Sequence, residues 1–208
     1  MGNTLSWSTT HINIVCKNAH NTLNFLYRNF KTCSPSIKAR LYLAYVRPIL
    51  EYCCSVWDPH TDKDIGTLEA VQKRAARFAF NTYSRHDRVT PLLLRLEWIP
   101  LKERRARAKV TLLYKAIKNI VEISTNYLTP SETNDVDYND DSTTDMVTRQ
   151  HDHFFIPYAR TNPYYFSYFI NTLRLWNFDL PSNVKDAPSL ASFQGALAPL
   201  TLRCCYEL

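Results

Sequence analysis

Glycine is scarce in this 208-residue sequence, where it occurs three times, at Gly2, Gly66 and Gly195. The usual share is about 7% of residues. Because the three lie far apart, no glycine-rich loop can wrap a phosphate group, which excludes P-loop nucleoside triphosphatases and dinucleotide-binding dehydrogenases. Scarce glycine combined with frequent Leu, Lys, Arg and Ala favours helices over sheets with tight turns.

Cysteine spacings typical of zinc sites or disulfide frameworks are also absent. The six cysteines stand singly or as adjacent pairs, at Cys16, Cys33, Cys53–Cys54 and Cys204–Cys205. No Cys-x-x-Cys pair occurs, so a closed zinc site has no support in the sequence. No apolar segment of the signal-peptide type opens the sequence either. We therefore expect reduced thiols in an intracellular protein of the cytoplasm and nucleus that is not secreted.

Long hydrophobic runs are lacking as well. The best candidate for a membrane span, residues 41–57, contains Arg47 and Glu51. It is also shorter than the ~20 residues that a span needs. Charged side chains are costly inside a bilayer. We therefore expect a core helix in this segment and no membrane partner.

Charge is unevenly distributed along the chain. Residues 1–130 contain 20 Lys and Arg against 9 Asp and Glu, a net charge of +11, whereas residues 131–208 contain 5 against 10, a net charge of −5. A basic body attracts polyanions without any specific pairing. Basic side chains also simply face water in many soluble domains. Charge alone therefore leaves both interpretations open.

Apolar residues recur at helical spacing through residues 1–130, which predicts an all-α fold. The short connections between these segments indicate a compact five-helix bundle. The predicted helices cover residues 9–31, 35–56, a segment from about residue 64, 88–96 and 101–122. Pro48 should kink the second of them, because its ring removes a backbone donor and clashes with the carbonyl four residues earlier.

The composition changes after residue 130. Residues 131–147 contain six acidic residues and no basic one among Ser, Thr and Asn, which is typical of a solvated linker. Aromatic residues are then frequent from Phe154 onward. The sequence therefore predicts three parts: a helical bundle over 1–130, an acidic flexible linker over 131–153 and a small, mostly helical, aromatic-rich unit over 154–208.

Two short motifs have the residues of a metal site without its context. Residues 138–141 read Tyr-Asn-Asp-Asp, and polymerases place such a motif on a buried hairpin that holds two Mg²⁺ ions. The flanking residues are polar and acidic, which is incompatible with buried strands. His151-Asp152-His153 has no further ligand at metal-binding spacing. We predict no catalytic residue, metal site or cofactor in this chain, and no primer extension through Asp140 and Asp141.

Basic side chains on the predicted helices are the remaining candidates for a binding site. Several lie on or beside faces that the apolar pattern turns away from the core. Guanidinium groups in short arrays grip phosphate oxygens in pairs, and such contacts position a nucleic acid without reading its bases. The predicted nucleic-acid-binding residues are Lys17, Arg28, Lys31, Lys73, Arg74, Arg77, Arg104, Arg105, Arg107 and Lys109.

An ordered set of motifs over roughly residues 5–200 resembles the C-terminal part of jockey-like non-LTR (LINE-type) retrotransposon reverse transcriptases. The motifs are Leu5-Ser6-Trp7-Ser8-Thr9-Thr10-His11-Ile12, Arg47-Pro48-Ile49-Leu50-Glu51-Tyr52, Ser55-Val56-Trp57-Asp58-Pro59, Leu68-Glu69-Ala70-Val71-Gln72-Lys73-Arg74-Ala75-Ala76-Arg77, Leu96-Glu97-Trp98 with Leu101 and Arg104-Arg105, Arg160-Thr161-Asn162, Tyr168-Phe169 and Arg174-Leu175-Trp176-Asn177. The set is much more specific than any single motif. One departure is residues 176–181, where the family pattern Trp-Asn-x-Leu-Pro carries one extra residue.

This resemblance implies that the chain is the thumb of an RNA-directed DNA polymerase, followed by its C-terminal segment. The palm and fingers of the same polyprotein, with the catalytic carboxylates and their Mg²⁺, would lie upstream. The fragment would then be catalytically silent. Its remaining capacity would be non-specific binding of the primer–template, as a duplex or an RNA–DNA hybrid.

A function of a different class stays open. The chain would then be a helical protein-interaction module with no nucleic-acid role. Residues 1–6 fit the pattern for N-myristoylation, with Gly2 as the acceptor. A single acyl chain gives only marginal membrane binding, so the modification would matter mainly in combination with the basic body.

Overall fold

A computed structural model describes residues 9–84, 87–123, 128–129 and 153–202. Helices dominate these residues and no β-strand occurs among them, so the predicted all-α class is confirmed. The helices are α1 (Thr9–Asn29), α2 (Pro35–Leu41), α3 (Arg47–Glu51), α4 (Cys54–Trp57), α5 (Asp62–Phe80), α6 (Thr90–Arg95), α7 (Leu101–Ile117), α8 (Asn162–Tyr165), α9 (Tyr168–Arg174), α10 (Ser182–Lys185) and α11 (Leu190–Leu197).

The chain divides into two compact units, one up to Ala108 and one from Lys109. The division falls inside α7 and not near residue 130, where the composition changes. In the second unit, Tyr114 of α7 stacks on Phe193 with ring centroids 4.1 Å apart, and its hydroxyl donates to the carbonyl of Ala187 at 2.7 Å. These contacts assign the second half of α7 to the C-terminal unit.

Helices α1 and α5 form the centre of the first unit, where they pack against each other. Each has one buried apolar stripe at three- and four-residue steps, which is the pattern of an amphipathic helix. The buried residues of the two stripes are Ile12, Cys16, Ala19, Leu23 and Leu26 on α1 and Leu68, Val71, Ala75 and Phe78 on α5. This buried contact holds α1 and α5 against each other, so the polar residues beside each stripe have fixed positions.

The ends of α5 are fixed by local chemistry. Thr61 accepts a hydrogen bond from the Asp64 amide at 3.3 Å, so an N-cap satisfies one of the free donors of the first turn. Asn81 follows the last turn in the left-handed conformation with φ of 55°, which Asn tolerates better than most residues. Its side-chain oxygen accepts from the buried ammonium of Lys38 at 2.7 Å, and this bond connects α2 to the end of α5.

The segment predicted as one kinked helix over 35–56 is divided into three helices. A turn of π-helix, Tyr42–Val46, separates α2 from α3 and immediately precedes Arg47-Pro48. Pro48 cannot donate a backbone hydrogen bond, and its ring displaces the carbonyl four residues earlier, so the wider π turn absorbs the distortion. A second break occurs at Cys53, whose φ of 52° is left-handed.

The second unit contains another π turn, Leu175–Asp179. It overlaps the segment that carries one extra residue relative to the Trp-Asn-x-Leu-Pro pattern. Because a π turn closes with i→i+5 hydrogen bonds, it holds more residues than an α turn. Within it, the Asn177 side chain accepts from the Phe154 amide at 3.1 Å and donates to the Phe154 carbonyl at 2.7 Å. The longer segment thus lies in a wide turn that is fixed by paired hydrogen bonds.

Candidate nucleic-acid interface

The polar edges of α1 and α5 enclose a groove in the first unit. Its volume is about 650 Å³. The lining residues are Leu23, Asn24 and Tyr27 from α1, Ala70, Lys73, Arg74, Arg77 and Phe78 from α5, and Tyr83 and Val89 from the chain that follows. A shallower depression of about 470 Å³ shares Asn24, Tyr27 and Arg74 with the groove and adds Asn21 and Arg28. We refer to both together as the α1–α5 groove.

Three cations of the α1–α5 groove come from one side of α5. Lys73, Arg74 and Arg77 stand at helical positions i, i+1 and i+4, so they project in neighbouring directions. None of the described residues that line the groove is acidic. The three side chains also form no ion pair with any described residue. Glu69, one turn before Lys73, interacts electrostatically with it, so the uncompensated positive charge lies mainly on Arg74 and Arg77.

Arg74 is oriented by two neutral partners on α1. One terminal nitrogen donates to the Asn24 side-chain oxygen at 2.8 Å, and the other lies 3.2 Å from Nδ1 of His20. Burial and the neighbouring guanidinium group lower the pKa of His20, so the imidazole is neutral at neutral pH. A neutral Nδ1 can accept from Arg74 only if the ring proton is on Nε2. The guanidinium group is thus positioned and keeps its full charge.

Arg77 has an unsatisfied donor. Its Nε is buried and has no hydrogen-bond partner within the described part of the chain. Leaving a buried donor unpaired costs about 1–3 kcal/mol, and more for a charged group. An acceptor that entered the groove and reached this nitrogen would remove that cost. The position therefore favours an anionic ligand.

Two tyrosines line the same groove. The rings of Tyr27 and Tyr83 lie edge to face with centroids 5.8 Å apart, and Tyr27 also contacts Phe78 at 6.0 Å. Tyr83 is 51% exposed and Tyr27 is 37% exposed. Burial and the neighbouring Tyr27 raise the pKa of Tyr83, so the Tyr83 hydroxyl stays protonated at neutral pH. The groove thus offers partly open aromatic surface beside its cations.

The basic residues of α7 have a different environment. Arg105 is 1% exposed, and its Nε donates to Asp58 at 2.7 Å. Lys109 is 2% exposed. The prediction that these two side chains point away from the core is therefore wrong. For Arg105 the physical reason is its pairing with Asp58, which lies 47 residues earlier and encloses the guanidinium group.

Arg104 and Arg107 are half-buried and neutralised. Arg104 forms a two-pronged pair with Glu51, with one of its two bonds at 3.0 Å, and this pairing holds the pKa of Arg104 above its ordinary value. Arg107 pairs with Glu103 one turn earlier at 2.5 Å. Both guanidinium groups already have carboxylate partners, so neither offers a free charge to a phosphate.

Lys17 and Arg28 of α1, and Lys31 just after it, are exposed, but the fold does not bring them together. Arg28 lies in the α1–α5 groove. Lys17 and Lys31 are exposed outside it. Sequence reasoning did not assign His20, Tyr27 or Tyr83 to the site. No local sequence motif marks these three residues, because their place in the groove follows from the packing of α1 against α5.

Other predicted features have less structural information. Gly2, the 138–141 tetrapeptide and His151 lie outside the described residues. Within the described ranges, no group of three or more His, Cys, Asp and Glu residues could hold a metal ion. No helix among them has the length and apolar character of a membrane span. The four cysteines described there, up to Cys54, are free thiols.

Comparison with protein-family models, with curated proteins and with solved structures finds no match for this chain. The resemblance to LINE-type reverse transcriptases therefore stays a prediction from the sequence motifs. The geometry of the α1–α5 groove is the structural basis on which a function can be proposed.

Proposed function

We propose that this chain binds the phosphate backbone of nucleic acid without sequence preference, in the α1–α5 groove, and that it has no reaction centre of its own. The observation that carries this proposal is the cluster of Lys73, Arg74 and Arg77 in a groove with no acidic residue among its described lining. The motif resemblance supports a primer–template as the partner and an upstream palm and fingers as the source of catalysis.

The rigidity of the groove supports backbone binding. Arg74 is held by Asn24 and His20, so less side-chain freedom is lost when a phosphate binds. The helices that present the cations are fixed by a buried apolar interface. A preorganised array of guanidinium groups is well suited to phosphate oxygens. Contacts to phosphate oxygens carry no sequence information, so sequence preference is not expected from them.

The number of cations sets the salt dependence. Lys73, Arg74, Arg77 and Arg28 can engage about four phosphates, which for a duplex gives a slope of about −3.6 in log affinity against log salt. Affinity should then fall about 100-fold between 50 and 200 mM salt. A salt titration by fluorescence anisotropy measures this slope directly. A flat titration, or no binding at low salt, would contradict the proposal.

Mutation of the groove cations tests the location. In the triple variant Lys73→Gln, Arg74→Gln, Arg77→Gln, we expect at least a tenfold loss of affinity at low salt. The slope should also become shallower by about one unit per cation removed. Circular dichroism and urea unfolding would check that the helical fold is retained.

A matched variant controls for net charge. Lys17, Lys31 and Lys63 are exposed and lie outside the α1–α5 groove, so their replacement by Gln removes the same charge elsewhere. We expect this control to retain most of the affinity. Equal losses in the two triple variants would show diffuse electrostatic attraction and would reject the groove as the site.

A protein-interaction role is the second candidate. Tyr45, Tyr52 and Val56 are large side chains that the first unit leaves exposed, and exposed apolar groups commonly mark interaction surfaces. Under this alternative, the chain shows no salt-dependent nucleic-acid binding. It instead associates with itself or with a protein in a way that high salt does not weaken. Sedimentation velocity at low and high salt distinguishes the two candidates.

A further inference from the structure

The aromatic rings of the α1–α5 groove exceed what backbone binding needs, because a tyrosine contacts a phosphate only through its hydroxyl. Phosphate contacts need the cations, whereas Tyr27 and Tyr83 place partly exposed rings between them. Proteins that bind single strands combine a basic groove with aromatic rings on which bases stack. We infer that the groove binds a single strand, with one unpaired base stacked on its tyrosines, in preference to a duplex. This inference rests on the backbone binding of the proposed function, and it makes a single strand, and not the primer–template duplex that the motif resemblance implies, the preferred partner.

The tyrosine rings are accessible to a base. In the edge-to-face arrangement of Tyr27 and Tyr83, with an interplanar angle of 88°, the edge of one ring meets one face of the other, so the two rings are not stacked in parallel. Tyr83 is the more exposed of the two. Paired bases are stacked inside a duplex and present no face to a side chain, whereas the bases of a single strand can be splayed out onto one. The tyrosines therefore contribute only when a base is unpaired.

The dimensions and polar groups of the groove fit a nucleotide. Its volume of about 650 Å³ lies within the range of about 300–1,000 Å³ that is usual for small-molecule sites. Arg77 lines this space, and its Nε is buried beside it with no partner among the described residues. The side-chain oxygen of Asn24 accepts a hydrogen bond from Arg74, so the amide N–H groups of Asn24 remain as donors for a base edge or sugar hydroxyl. Stacking surface, cation and amide donor thus meet in one groove.

Three probes of equal length test the inference on the full chain. The first is a mixed-sequence single strand, which is tested both as DNA and as RNA. The second is the corresponding blunt duplex, and the third is an abasic single strand, whose sugars carry no bases. At equal salt we expect the single strands to bind at least tenfold more tightly than the duplex. We expect the abasic strand to bind at least fivefold more weakly than the intact one, since stacking contributes about fivefold or more per base.

Variants separate stacking from charge. Tyr83→Leu and the double variant Tyr27→Leu, Tyr83→Leu should lower single-strand affinity at least fivefold and leave duplex affinity unchanged. Tyr45→Leu with Tyr52→Leu removes two exposed tyrosines outside the groove and should change neither. Because Tyr83 is half-exposed, the single variant tests the inference even if the double variant is poorly folded.

The possible outcomes distinguish this inference from the proposed function. Equal binding of the abasic and intact strands, or equal losses for single strand and duplex in Tyr83→Leu, would overturn base stacking and leave backbone binding intact. Absence of binding to every probe at low salt would overturn both. A single-strand preference that disappears with the tyrosines supports the inference.

Discussion

The buried ion pair between Arg105 and Asp58 is the contact of the first unit whose loss we expect to be most damaging. The Arg105 side chain is 1% exposed and that of Asp58 is 9% exposed. The two terminal nitrogens of Arg105 are buried and have no hydrogen-bond partner among the described residues. The carboxylate of Asp58 is therefore the main compensation for enclosing a guanidinium group.

Asp58→Ala would leave that charge enclosed without its partner. Removing one member of a buried pair typically costs about 3–5 kcal/mol. A domain of this size has a free energy of unfolding of about 5–15 kcal/mol, so the loss is a large fraction of the total. Replacing both members, as in Arg105→Met with Asp58→Leu, removes the charge along with its partner. Such a change is often neutral or even stabilising, and we expect the double variant to be more stable than Asp58→Ala.

Urea unfolding, followed by the fluorescence of Trp57 and Trp98, measures these differences. With a slope of about 1.5 kcal/mol per molar urea, Asp58→Ala should lower the midpoint by about 2–3 M. The exposed Asp87 provides the control, since Asp87→Ala should change the free energy of unfolding by less than about 0.5 kcal/mol. If Asp58→Ala is no more destabilising than Asp87→Ala, the ion pair does not have the role that its burial implies.

Two further predictions concern titrating groups in the first unit. His20 has a lowered pKa when folded, so the unfolded chain binds more protons. Its contribution to stability is therefore fully present above the unfolded pKa of about 6.5 and is lost as the pH falls below that value; His20→Gln should remove this part of the pH dependence of urea unfolding. Burial raises the pKa of Cys16 to about 11, so at pH 8 an alkylating reagent should modify the exposed Cys53 quickly and Cys16 only on unfolding, as peptide mass spectrometry can show. Rapid alkylation of Cys16 in the folded chain, or an unchanged pH profile in His20→Gln, would contradict these assignments.

The apolar stripes of α1 and α5 could be predicted because each helix has one buried face. Ile12, Ala19 and Leu23 on α1 and Phe78 on α5 belong to apolar repeats of helical spacing in the sequence, and all four are buried. A spacing of three and four residues is determined by the helix itself, so it can be recognised without knowing what the helix contacts. The kink expected at Pro48 also has a local cause, although the sequence does not specify that it takes the form of a π turn.

The environment of the basic residues could not be predicted in the same way. A helical pattern identifies which side chains share a face, but it does not identify what covers that face. Arg105 and Asp58 are 47 residues apart in sequence, and Arg74 is 50 residues from Asn24. Whether an arginine meets a carboxylate, an amide or water is decided by these distant pairings. In the sequence the basic residues of α5 and α7 look alike, whereas in the structure their environments differ.

The difference between these clusters determines what each can do. On α7, carboxylates neutralise Arg104, Arg105 and Arg107, so a phosphate would have to displace an existing partner and would gain little. On α5, Arg74 has only neutral partners and Arg77 has an unsatisfied donor. A phosphate there adds a charge-assisted bond without breaking an ion pair. Replacing an α7 arginine should therefore lower the free energy of unfolding and leave nucleic-acid affinity unchanged. Replacing an α5 arginine should lower nucleic-acid affinity in a chain that still folds.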